Sequence, residues 1–231
     1  HFDNGWNTEI SVSNIKKVIQ KLNVDLYTYV VDWEEFKDIQ KSFLFSSTPD
    51  IDQPTDQGIR GSLFKVAHQE GLKYVIVGNN FRNEGKVPIH WSYSDGYYIK
   101  NIQKIYGKKS IDTYPLITPV ELIKYKTLGI KIVKPLWYIK YVKSKVQPIL
   151  EKEFDWTYYG GHHYENVYTR FAHAFYLVKK FGFDKRKVEL SAMILSNQMS
   201  RAEALENLRI NPYENEIINN DIEYVKKKLS I

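Results

Sequence analysis

Pro54 to Gly85 reads PTDQGIRGSLFKVAHQEGLKYVIVGNNFRNEG, and the fold class turns on how this stretch divides. Ile59, Leu63, Val66 and Ala67 recur at i, i+4, i+7 and i+8, one apolar stripe of helical period. Thr55 and Asp56 offer acceptors for the free N–H groups at the start of that helix. Gly71 stands where a left-handed C-terminal cap belongs. Leu72 to Val77 is then a short apolar run, the reading of a parallel strand covered by helices on both faces. Gly78-Asn79-Asn80 ends it. Ligands of open α/β sheets bind at the carboxyl ends of strands, so this tripeptide is a candidate contact. It is equally ordinary turn chemistry, because Gly and Asn tolerate positive φ.

Outward from this stretch the α/β alternation continues. Residues 7–22 carry a stripe of Ile15, Val18, Ile19 and Leu22, and 24–31 read as a strand. Asp32 with Glu35 has the spacing of a capping box, opening a helix that turns Trp33, Phe36, Gln40, Phe43 and Leu44 inward. Residues 94–106 and 119–128 are helical, and 130–133 form a short strand. His1–Asp3, Leu26–Val31, Leu72–Val77 and Ile130–Val133 are expected in one parallel sheet. From residue 141 onward the pattern is helical: 141–153 with Pro148 as a defect, 164–181, 185–195, 200–208 behind a Ser200/Glu203 capping box, and 214–229. The expected division is a partial nucleotide-binding α/β domain at 1–136 and an α-helical substrate or partner region at 137–231.

Composition bounds the function. The chain has 231 residues, 43% hydrophobic, with 12 Gly and 8 Pro, a globular balance. It has no Cys, which excludes disulfides, thiolate zinc sites and persulfide relays within it. No apolar run reaches transmembrane length and no signal peptide is visible, so a cytoplasmic location without membrane partners is the default expectation. A net charge of +6 permits an anionic partner without choosing one. Aromatic residues make up 15%, with 18 Tyr, suited to a polar sugar- or nucleotide-sized cleft and equally to half-buried packing.

Seven segments in one order carry a family resemblance: HFDNGWN (1–7), LYTYVVDWEEF (26–36), PDIDQPTDQ (49–57), KYVIVGNNFRNEG (73–85), YYGGHHYENVYTRF (158–171), KKFGFDKRK (179–187) and LSNQMSRAEAL (195–205). The chain resembles the N-acetyl sugar amidotransferases of surface-polysaccharide biosynthesis, within the PP-loop ATP pyrophosphatase superfamily. The resemblance implies an adenine nucleotide alpha-hydrolase-like α/β fold with sheet order 3-2-1-4-5. It also implies ATP and Mg²⁺ as cofactors, and a sugar or sugar-nucleotide substrate of LPS, O-antigen or related glycan biosynthesis. The implied reaction converts an acetamido group to acetamidino through an adenylylated intermediate and ammonia, with a separate glutaminase subunit supplying the ammonia. The Ser-Gly-Gly-x-Asp-Ser pyrophosphate loop of that superfamily is absent. The 231 residues are therefore expected to be the C-terminal portion of a longer protein, without the first strand and inactive alone.

Residue roles follow from the resemblance. Phe2, Asp3 and Asn4 match the segment lining the adenosine, with a strand-end Asx turn as the plain alternative. Gly78, Asn79, Asn80 and Glu84 match a second nucleotide-side loop, Glu84 being a carboxylate suited to Mg²⁺ through water or simply a solvated acid. Asp56 and Gln57 face the same cleft from a helix N-terminus; Asp56, Asn80 and Glu84 are the candidates for catalysis. His163, Tyr164, Glu165 and Arg170, with Gln57, are the candidates for substrate. Arg suits bidentate anion contacts, although the same residues read as a helix start and an ion pair. No protein metal site is expected, because adjacent His162 and His163 cannot share a helix face. Two further readings compete: a tRNA-modifying PP-loop ATPase, and a non-catalytic docking module. Nucleic acid is not the expected partner, since YYGGHHYENVYTRF does not resemble the RNA-binding appendages of that class.

Overall fold

Asp32 stops one strand and opens the next helix: its carboxylate accepts from Glu35 N at 2.9 Å. Thr8, Asp95, Thr118, Asn166 and Ser200 open helices in the same way in the computed structural model, which describes residues 1–211 and 215–231. The elements are β1 (Phe2–Asp3), α1 (Glu9–Leu22), β2 (Tyr29–Val30), α2 (Trp33–Ser46), α3 (Gln53–Gln69) and β3 (Tyr74–Ile76). Next come α4 (Gly96–Tyr106), α5 (Pro119–Thr127), β4 (Lys131–Val133) and α6 (Lys143–Phe154). The chain ends with α7 (Val167–Arg170), a π-helical segment Phe171–Tyr176, α8 (Leu177–Phe181), α9 (Arg186–Leu195), α10 (Arg201–Arg209) and α11 (Asn215–Leu229). Glu214, the expected start of the last helix, lies outside the described residues. Ser200 and Glu203 do form a reciprocal capping box, and so do Thr118 and Glu121.

The four strands are parallel, as expected, but they make two pairs rather than one sheet. β1 pairs with β2 in the register Phe2↔Tyr29, and β3 with β4 in the register Val75↔Ile132. The physical reason is α3, which serves both pairs. Gly58 lets it close on β1, where an added Cβ would stand 2.4 Å from the Phe2 ring. Phe64 and Ala67 pack on Val75 of β3. Between the pairs lies a cavity instead of a strand.

Three expectations change with this arrangement. The run at 24–31 shrinks to Tyr29–Val30, with Leu26, Tyr27 and Val30 exposed. Val75 is buried, while Tyr74 and Ile76 on the other face are 65% and 73% exposed, so β3 is covered on one face only. The Ile59–Leu63–Val66 stripe of α3 lines the cavity, and the helix is buried through Gly58, Gly61, Phe64 and Ala67 instead.

The larger core crosses the expected boundary at residue 136. Trp6, Phe36, Ile39, Phe43 and Ile99 pack with Tyr168, Phe171, Ala172, Val225 and Leu229. Trp6 is fully buried, donates from Nε1 to Gln40 Oε1 at 2.9 Å and stacks near Tyr168. Backbone bonds from Thr8 N to Glu165 O and from Val167 N to Trp6 O fasten the first loop to the segment that starts α7. That splice brings the C-terminal residues to the cavity.

Candidate functional site

The cavity between the strand pairs has a volume of about 1050 Å³. Its walls come from the ends of β1 and β3, the exposed stripe of α3, the loop at 156–166, the π-helical segment and the start of α9. Asp52 occupies the N-cap position of α3, its carboxylate free of any capping bond to the helix, and Asp56 lies one turn along it. His173 projects from the π-helical segment, where an extra residue per turn displaces side chains from the α-helical register.

These groups form a connected cluster. Lys185 Nζ lies 2.8 Å from His173 Nε2, and Asp52 Oδ2 lies 3.5 Å from the same nitrogen. Thr169 Oγ1 donates to Asp52 Oδ1 at 3.2 Å. Burial, then the charge of Asp56, pushes the Asp52 carboxyl up to about 7, against the opposing pull of Lys185, His163 and the Thr169 hydrogen bond. The Asp56 carboxyl is also raised, chiefly by desolvation, with Lys185, His163 and Arg60 pulling the other way. Asp56 is an exposed residue that lines the cavity. Burial and the neighbouring Lys185, His163 and His162 hold His173 well below the usual imidazole range, so it is neutral. A neutral His173 accepts the Lys185 proton at Nε2 and therefore carries its own at Nδ1.

A second pair lies opposite. His163, at φ 63°, lies 3.5 Å from Glu165. Burial alone would lower its imidazole, but the hydrogen bond and charge of Glu165, with Asp56 and Glu189, raise it on balance. Burial would raise Glu165, and His163 holds it below the usual range. Glu165 Oε2 is buried without a hydrogen-bond donor. His162 pairs through Nδ1 with Glu189.

Of the expected residues, Asp56, Glu84, Asn79, His163 and Glu165 line this cavity together with Phe2 and Asn4. Several are committed to structure. Phe2 stacks on Tyr29 and meets Tyr114 edge-on. Asn4, 2% exposed, accepts from Trp6 N and from Asn166 Nδ2 and reaches Thr55. Asp3 accepts from Gly5 N in a turn. Asn80 accepts from Arg82 N and Asn83 N, and Glu84 accepts from Asn79 Nδ2 and Asn80 N, so this loop takes the plain turn reading. Gly78 and Asn80 border a smaller adjoining pocket. Gln57 is buried and donates to Ser94 Oγ. Arg170 grips Asp221 of α11 through two 2.7 Å bonds and lies against Tyr164; neither Arg170 nor Tyr164 borders the cavity. Asp52, His173, Lys185, His162 and Glu189 join the site without a sequence signal that singled them out.

The described walls offer no glycine-rich phosphate nest. Five carboxylates (Asp52, Asp56, Glu84, Glu165 and Glu189) face Arg60 and Lys185, and Gly85 is the sole glycine among the described lining residues. A phosphate nest needs successive backbone N–H groups, usually supplied by a glycine-rich turn. Among the described residues no three His, Cys, Asp or Glu side chains gather closely enough to hold a metal ion. What the arrangement can do is exchange protons near neutral pH and bind neutral polar or cationic groups.

Among the described residues no helix is long and apolar enough to cross a membrane. A comparison with curated proteins finds no match. Residues 165–231 match the family model described as LPS biosynthesis protein WbpG-like, C-terminal domain. That segment, which is similar to a domain of LPS biosynthesis proteins, supplies Glu165, Asn166, Thr169, His173, Lys185, Val188 and Glu189 to the cavity.

Proposed function

We propose that the cavity handles ammonia and an N-acetylated sugar in an ATP-dependent amidotransferase reaction, turning acetamido into acetamidino in LPS, O-antigen or related glycan biosynthesis. The observation that carries this reading is the Asp52–His173–Lys185 cluster, with an Asp52 carboxyl near 7 in the wall of a sugar-sized cavity. Ammonium must lose a proton before its nitrogen can attack a carbonyl carbon. A base poised near neutral pH does this best. Asp52 is the proton acceptor in this reading. Neutral His173 holds the Lys185 ammonium beside it, which moderates the negative charge that forms. Glu165 Oε2, a buried acceptor without a partner, holds an N–H of the incoming ammonium or of the acetamido group. The apolar side of the cavity, Ile59, Leu63 and Val66, limits water as a competing nucleophile.

ATP, when bound, supplies activation of the amide oxygen; no step here runs through it, because its phosphates find no nest in these walls. We propose the adenine nucleotide alpha-hydrolase-like fold on the same footing. Its support is the parallel sense of both strand pairs and the apolar stripe of α3 facing the gap between them. In that proposal a strand from outside these residues lies between β1 and β3 and brings the pyrophosphate loop, Mg²⁺ binds with the nucleotide, and a glutaminase partner delivers ammonia.

The test is pyrophosphate release by the natural gene product, with ammonia and a panel of N-acetyl sugars and sugar nucleotides. Release that requires both ammonia and an N-acetyl sugar supports the reading. Release that requires tRNA, or none with any sugar, removes it.

A further inference from the structure

A second pocket of about 240 Å³ opens beside the main cavity, and the two share Glu84, Trp156, Tyr159, His162 and Glu189 in their walls. It is smaller than the usual range for a drug-sized ligand and suits a single ring. Trp156 and Tyr159 meet edge-to-face at 5.4 Å and give it an apolar wall. Its rim mixes chemistry: Glu84 and Glu189 accept, while Lys143 and Tyr141 donate. Lys143 Nζ and Tyr141 Oη make no hydrogen bond or ion pair within the described residues.

This combination discriminates among ligands. A purely apolar ring would desolvate the Lys143 ammonium and the Tyr141 hydroxyl without giving either a partner, at a cost, while Glu84 and Glu189 keep their bonds to Asn79, Asn80 and His162. A small cation would use the acids but not the donors. A pyranose presents apolar C–H faces and a rim of hydroxyls that both donate and accept, and it uses every group. We infer that this side pocket is the seat of the sugar ring, stacked on Trp156 with its hydroxyls on Glu84, Glu189, Lys143 and Tyr141, so that the N-acetyl arm passes the shared wall into the main cavity. The inference rests on the amidotransferase reading for the arm, but the ring subsite stands on the pocket itself.

The experiment uses the natural gene product with methyl glucoside and methyl N-acetylglucosaminide as probes, without ATP. Saturation-transfer NMR reports which protons touch the protein, and titration gives affinity. The ring protons of both glycosides should receive saturation. Trp156→Ala should weaken both by about tenfold, the upper end of one aromatic contact, and Trp156→Phe should restore most of the loss. Lys143→Met, which leaves the aromatic wall intact, should weaken both several-fold, and it decides the matter if Trp156→Ala does not fold. No binding of either glycoside, or binding that ignores both Lys143→Met and the folded Trp156 variants, overturns the subsite. Ring binding with no ATP- and ammonia-dependent product keeps the subsite and removes the amidotransferase reading. Product formation indifferent to these substitutions does the reverse.

Discussion

Asp52→Asn should stabilise the protein at high pH and disable it at every pH. The Asp52 side chain is 12% exposed, and its carboxyl rises from 3.8 to about 7 on folding, chiefly through burial and then the charge of Asp56. The folded chain thus binds this proton more tightly than the unfolded chain. Between about pH 4 and pH 7 the folded state retains a proton the unfolded state has lost, so stability falls as pH rises through that window. Above about 7 both states are ionised and the loss is complete. At ~1.4 kcal/mol per pH unit the rise is worth roughly 4 kcal/mol. Asn is nearly isosteric, keeps an oxygen to accept from Thr169 Oγ1 and never ionises. Urea unfolding at about pH 8 should show the variant more stable by a few kcal/mol, and at about pH 4 the two should converge. The same variant should lose sugar-dependent turnover, because the proton acceptor is gone. A variant no more stable at pH 8 than at pH 4, relative to the native chain, would refute the claim that Asp52 is buried at a cost for proton transfer.

Three further outcomes test the frame around the site. Asp221→Ala removes the bidentate carboxylate from Arg170 and should cost about 3 kcal/mol in urea unfolding, since one half of a largely buried pair is removed; KM for the sugar in the folded fraction should hold, because Arg170 does not border the cavity. Glu35 Oε1 accepts from the backbone N–H groups of Asp112, Thr113 and Tyr114, so Glu35→Ala should leave these donors without that acceptor and cost about 1–3 kcal/mol in a thermal melt. Gly61→Ala places a Cβ 1.7 Å from Pro115 O; overpacking of roughly 1–3 kcal/mol should outweigh the ~1 kcal/mol that Ala gains in a helix, seen as a lower melting temperature.

The helices were legible because their signals are local. Asp32, Asp95, Thr118 and Ser200 each cap within three residues, and the inward face of α2 follows its own period. The strands were legible in place and direction but not in length or sharing. An apolar run such as 72–77 does not say whether one face or two will be covered. Glu35 kept its helical spacing from Asp32 yet spent its carboxylate on a loop near residue 113, a partner no local pattern contains. The stripe on α3 is apolar, but Gly58 and Gly61 give the opposite face the closer packing and leave Ile59, Leu63 and Val66 to the cavity. Asp56, Glu84, His163 and Glu165 lie in the segments that carry the family resemblance, and they line the cavity. Asp52, His173 and Lys185 meet only because the Trp6 core folds the last third of the chain onto the first, and a π-helical turn aims His173.

The central claim is best tested by following nitrogen. The natural gene product, given ATP, isotopically labelled ammonia and an N-acetyl sugar nucleotide, should release a product carrying the labelled nitrogen in place of the amide oxygen, seen by mass spectrometry. His173→Gln and Asp52→Asn should abolish that incorporation while leaving binding of methyl N-acetylglucosaminide intact. Incorporation at native rates in both variants, or a sugar recovered unlabelled under every condition, would contradict the account.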